Sequence, residues 1–174
     1  MDIAKDLFFS QQALTALFSA TNKLQMQGDK SLQDLTLRQM LALPAILHAP
    51  EGKATINHIA RVLGTSKQSA KHIVDALERK GYLAVTANAQ DKRAVSITIT
   101  PEGHQAFAIC SERTDDFLAQ IFQTLDTEEL ELLCTLLYKL LGEADSAPMY
   151  DETHADLILQ HHPVFHERRS QNHA

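Results

Sequence analysis

Two short helical patterns joined by a glycine turn, followed at once by two extended segments around a basic tip, fill residues 53–103 and constrain the fold more than any other feature. Residues 54–64 read as a short helix closed by Gly64. Thr65, Ser66, Lys67 and Gln68 open a second helix, expected to run to Lys80 and stop at Gly81. Tyr82-Leu83-Ala84-Val85 then leads to the polar tip 88–93, and the alternating segment 95–100 returns from it. A helix carried on a tight turn can enter the major groove of DNA, and a basic hairpin beside it can reach the neighbouring groove. The pattern implies a mainly α fold with a small β wing: a winged helix-turn-helix, with other helices left over to account for.

The net charge of −6 taken alone opposes nucleic acid, but its distribution reverses that. Residues 52–93 hold eight Lys or Arg (Lys53, Arg61, Lys67, Lys71, Arg79, Lys80, Lys92, Arg93) against Asp75, Glu78 and Asp91, a balance of +5. The remainder has the other eight bases and nineteen acids, a balance of −11. A basic module in an acidic body is the footprint of a groove binder with repulsive flanks.

Apolar residues recur at near-helical spacing from Ile3 to Leu24, and Gly28-Asp29-Lys30-Ser31 is expected to break that helix. Residues 35–48 form a second helix, in which Pro44 predicts a kink or an end near Leu43. Thr100 and Pro101 suit the start of a long helix reaching about Leu125, and Asp126 or Thr127 starts another that Gly142 ends. The large apolar side chains of these last helices (Phe107, Phe117, Ile121, Phe122, Leu133, Leu136, Leu137, Leu140) exceed what a winged helix can bury, so a second copy of the chain is expected to cover them. The resulting plan is an N-terminal dimerisation helix over 1–30, the winged helix-turn-helix over 31–103, C-terminal dimerisation helices over 104–142 and an extension over 143–174. The apolar part of that extension, 150–165, is expected to dock on the helical body. No apolar run reaches the roughly 20 residues of a membrane helix, and no signal peptide is evident, so a cytoplasmic protein with no membrane partner is expected.

The chemistry concentrates on the second helix of the motif. Ala70, Ile73, Val74 and Leu77 follow i, i+3, i+4, i+7 and predict its buried stripe. Thr65, Gln68, Lys71, His72, Asp75 and Arg79 fall opposite, with Ser69 on the shoulder. Thr65 and Gln68 match a capping box, which leaves first-turn amides for a phosphate. Gln68 suits adenine or another base edge, Lys71 suits guanine or phosphate, His72 suits either, and Lys67 suits phosphate. At the tip, Asp91 can hold the Arg93 guanidinium extended beside Lys92, which fits the negative potential of a narrow minor groove. Thr65, Ser66, Lys67, Gln68, Ser69, Lys71, His72, Asp91, Lys92 and Arg93 are therefore the candidate DNA contacts.

These elements taken in order resemble the MarR family of bacterial transcriptional regulators. The matching stretches are Ile59-Ala60-Arg61-Val62-Leu63-Gly64, Ser66-Lys67-Gln68, Val74-Asp75-Ala76-Leu77-Glu78-Arg79-Lys80-Gly81-Tyr82-Leu83, Asp91-Lys92-Arg93 and Ile97-Thr98-Ile99-Thr100-Pro101-Glu102-Gly103. The resemblance implies a triangular homodimer on a palindromic double-stranded operator, repression of transcription, and relief by a small ligand lodged between the DNA-binding lobes and the dimerisation helices. Two departures stand out: Thr86 where many members carry a basic residue, and some 30 residues beyond the usual end.

For such an inducer the candidate lining is Phe8, Leu14, Leu17, Phe18, Leu43, Leu47 and Phe107, residues that suit an ordinary core equally well. Cys110 and Cys134 fall in apolar helices, where cysteine is usually a small buried hydrophobe, so redox sensing is not expected. The nine histidines show no zinc-ligand spacing, and neither metal nor cofactor is expected. The alternatives are a winged-helix protein-interaction module without DNA binding and a metal- or redox-responsive regulator; for a further class, an enzyme, no nucleophile-elbow, phosphate-loop, dinucleotide or metalloprotease motif speaks.

Overall fold

The computed structural model describes residues 3–49, 54–87 and 95–142. The wing tip (Asp91, Lys92 and Arg93 included) and the extension over 143–174 lie outside the described residues, so the expectations placed on them stay expectations. The chain divides into two compact units, one ending at Ile121 and the other beginning at Phe122.

Helix α1 (Ile3–Leu32) runs straight through the expected break at 28–31. Gly28 is there for close approach rather than for termination. It is buried against α2 (Leu37–Leu47), and a Cβ added to it would stand 2.9 Å from Leu37 Cδ2 and 3.1 Å from Leu37 Cβ. The crossing outweighs a helix-propensity cost of about 1 kcal/mol. The chain turns instead at Gln33, in the left-handed region at φ 59, with the Asp34 amide donating to the Leu32 carbonyl at 2.7 Å. Arg113 Nη1 also donates to the Leu32 carbonyl, at 3.3 Å, and the Lys80 ammonium donates to the Asp34 carbonyl. This corner is thus held by cations from two other elements.

Helix α2 starts on a capping box between Thr36 and Gln39 and continues past Pro44 to Leu47, so of the two outcomes expected at the proline the early end does not occur. Met40, Ala42, Leu43, Pro44, Ala45 and Ile46 are all buried, so tertiary packing carries the proline that an isolated helix would reject. Helix α3 (Ile56–Val62) is capped by Thr55, and Gly64 at φ 57 turns the chain into α4 (Lys67–Arg79). The expected stripe of α4 is buried at Ala70, Val74 and Leu77, with Ile73 half-buried beside it. Together with Leu32, Leu35, Leu43, Ile59, Leu83, Ile97 and Cys110 it forms the core beneath the helix-turn-helix.

Strands β1 (Leu83–Ala87) and β2 (Val95–Ile99) pair antiparallel, with Leu83 opposite Ile99 and Val85 opposite Ile97. The Ile97 amide donates to the Ala54 carbonyl at 3.1 Å, tying the wing to the entry of α3. Helix α5 (Pro101–Ile121) begins as expected on Thr100, whose Oγ1 accepts from the Gly103 amide at 3.0 Å and donates to the Gly81 carbonyl at 2.6 Å. It ends at Ile121, a turn short of Leu125. In the second unit, α6 (Thr127–Leu141) is capped by a reciprocal pair of Asp126 and Glu129 and closed by Gly142 at φ 74.

Candidate nucleic-acid interface

The start of α4 decides what this surface can do. Its N-cap is Ser66 and not Thr65: Ser66 Oγ accepts from the Ser69 amide at 3.1 Å and donates to Ser69 Oγ at 3.0 Å. Thr65 stays in the turn, with its amide bonded to the Ala60 carbonyl at 2.9 Å. Two hydroxyl residues side by side compete for the same cap, and the backbone geometry of the turn selects the second. The amides of Lys67 and Gln68 have no carbonyl a turn earlier to accept them, so the tip of α4 still presents donors to an anion.

Beyond the cap, Lys67, Gln68, Lys71 and His72 are exposed, with Thr65 and Ser69 partly so, and all lie away from the Ala70–Val74–Leu77 stripe. The structure thus brings seven of the ten candidate DNA contacts onto one element and its entry turn. Asp75 stands on the same side, its carboxylate holding the Lys71 ammonium at 2.7 and 2.9 Å. Their i, i+4 spacing carried that signal in the sequence.

His58, to which the sequence reading gave no role, joins α3 to α2. Its Nε2 lies 2.9 Å from the Ala45 carbonyl and its Nδ1 3.4 Å from Arg61 Nη2. A carbonyl and a guanidinium assign the tautomer between them: Nε2 carries the proton and Nδ1 accepts. No spacing rule announces such a contact, because its partner is a backbone carbonyl thirteen residues away.

The residues considered for sensing differ in burial. Leu43 is in the core, Leu17 and Phe107 are half-buried, and Phe8, Leu14, Phe18 and Leu47 are exposed. Burial pushes the Cys110 thiol above its ordinary value, against the opposing pull of Arg113. That disfavours the thiolate on which redox chemistry depends, whereas Cys134 is exposed. Among the described residues no three His, Cys, Asp or Glu side chains gather where they could hold a metal ion, and no helix is long and apolar enough to cross a membrane.

A helix pair on a glycine turn, its second helix buried on one stripe and polar on the other, with an antiparallel hairpin directly after it, is a winged helix-turn-helix. Residues 33–94 match the family model described as the MarR family. The chain is 24% identical over 144 residues to the transcriptional repressor MprA of Escherichia coli, covering 81% of this chain and 82% of that protein. It is 25% identical over 115 residues to the transcriptional activatory protein BadR of Rhodopseudomonas palustris, covering 64% of this chain but only 62% of that relative's length. In fold it is similar to Bordetella bronchiseptica BpsR, solved in a study of how 6-hydroxynicotinic acid regulates its DNA binding. The TM-score is 0.67 at 21% identity, over 80% of this chain and 97% of that one. These relatives are regulators rather than enzymes.

Proposed function

We propose that this chain is a dimeric, sequence-specific DNA-binding repressor that holds a palindromic operator through α4 and the wing and is released by a small ligand. One observation carries the reading: α4 shows a polar, cation-bearing face with a free-amide tip to solvent while its opposite stripe is locked in the core. A rigidly mounted helix with that division fits the major groove, where side chains read base edges and the tip grips phosphate.

Dimerisation is supported by apolar surface that is exposed among the described residues. On α1, Ile3, Leu7, Leu14 and Phe18 prolong the stripe that Gly28 and Leu32 bury further along, yet each is more than half exposed. On α6, Leu132, Leu136 and Leu140 are exposed at four-residue intervals. Burying one such leucine is worth about 1.5–3 kcal/mol, so a handful outweighs the cost of association. A two-fold dimer would present two copies of α4 to half-sites about one DNA turn apart. Repression follows the likeness to MprA, although BadR is named an activator, so the sign of regulation needs its own experiment. Release by a small, partly apolar anion follows the likeness to BpsR.

The test is a mobility-shift titration on the duplex upstream of the chain's own coding sequence, with a transcription assay from the same promoter. The expected result is a discrete complex of two protomers per duplex and lower transcription. Equal affinity for unrelated duplex would remove the regulator reading.

A further inference from the structure

The carboxylate of Asp75 is out of place on a surface meant for a polyanion. It stands on the exposed side of α4 one turn from Lys71, and both its oxygens hold the Lys71 ammonium, at 2.9 and 2.7 Å. With side-chain exposures of 64% for Lys71 and 38% for Asp75, the pair is too wet to contribute much to folding. Its consequence lies in what it presents outward. The paired ammonium brings no net charge to the surface, so it is a poor phosphate grip; counterion release needs uncompensated cations. The carboxylate, in turn, is repelled by phosphate and can meet DNA favourably only where a base offers a donor.

We propose that Lys71 and Asp75 act as one neutral reading unit that selects a G·C base pair in each half-site, with Asp75 as a specificity-determining residue. This rests on the DNA-binding reading above. In the major groove guanine shows two acceptors, O6 and N7, and the paired cytosine shows an N4 donor next to O6. The O6 and N4 atoms, themselves hydrogen-bonded, are about 2.9 Å apart. That spacing matches the separation of the Lys71 ammonium from the Asp75 oxygens. One ammonium hydrogen stays on Asp75, a second goes to O6 and the third to N7, while the carboxylate accepts from N4. On an A·T pair the unit can still bridge thymine O4 and adenine N6, but the third ammonium hydrogen then faces the thymine methyl group and is left without a partner. G·C is the pair that satisfies every group.

The experiment is selection from a pool of random duplexes with the full-length chain, its Asp75→Ala and Lys71→Met variants and the double variant, followed by affinity measurements on the recovered duplex across a salt series. Melting temperatures close to wild type are expected, because both side chains are exposed. Both single variants should lose a G·C preference of about fivefold or more at the same position of each half-site and keep the rest of the motif. Asp75→Ala, which frees the ammonium for phosphate, should steepen the salt slope by about one unit, Lys71→Met should flatten it by about one, and the double variant should return to wild type. An unchanged motif with Asp75→Ala, or losses at different positions in the two variants, overturns the reading unit while leaving DNA binding intact. A wild-type chain that enriches no sequence overturns the DNA-binding reading and the unit with it.

Discussion

Gly103→Ala tests how the wing is mounted on the helical body. The first turn of α5 presses on the backbone between α4 and β1: a Cβ at residue 103 would stand 2.1 Å from the Tyr82 carbonyl oxygen and 2.8 Å from Ile99 Cγ2. The nearer obstacle is backbone, so no rotamer change relieves it, and the start of α5 must retreat by roughly 1 Å. The Tyr82 carbonyl also accepts from the Thr100 amide at 3.1 Å, a bond that such a retreat weakens. Overpacking costs about 1–3 kcal/mol and a lost hydrogen bond about 0.5–1.5 kcal/mol, so a total near 2–4 kcal/mol is expected. For a chain of this length that lowers the melting temperature by about 5–15 °C, read by circular dichroism at one fixed protein concentration because a dimer's stability depends on concentration. Gly142→Ala is the control: its Cβ meets nothing within 4 Å, and only the left-handed φ of 74 is penalised, by about 1 kcal/mol. If the two variants melt together, the close contact at Tyr82 does not hold the wing.

Three further substitutions address other parts of the account. Ser66→Ala removes the α4 cap and should destabilise the chain by about 1 kcal/mol, seen as a shift of the urea midpoint at constant slope; no shift would return the cap to Thr65. Leu136→Lys, at a position already 54% exposed in the single chain, should convert the proposed dimer to a folded monomer in sedimentation, and an unchanged dimer would exclude that face of α6 from the interface. Arg93→Ala at the wing tip should weaken operator binding more than about tenfold and lower the salt slope by about one unit; matched affinities at equal salt would remove the wing from the mechanism.

What the sequence made legible is what depends on neighbours along the chain. The buried stripe of α4 followed from apolar spacing, the start of α5 from Thr100 and Pro101, and the start of α6 from Asp126. One misreading shows how tertiary contact reverses a local rule. Gly28 looked like a helix end and is a crossing point, because the neighbour that requires a glycine, Leu37, belongs to the next helix. Pro44 does not end its helix, and it is buried together with Leu43, Ala45 and Ile46. The candidate site was legible in part: the polar face of α4 followed from helical geometry, while the choice of Ser66 over Thr65 and the His58 bridge to Ala45 depended on backbone that no spacing encodes.

Genome-wide occupancy of the chain in its own host, for the wild type and for a Lys67→Ala/Gln68→Ala variant, tests the central claim most directly. Sharp sites sharing an inverted repeat whose half-sites lie about one helical turn apart are expected for the wild type and should be lost in the variant. A profile without a shared repeat, or one that the variant leaves unchanged, would contradict the claim.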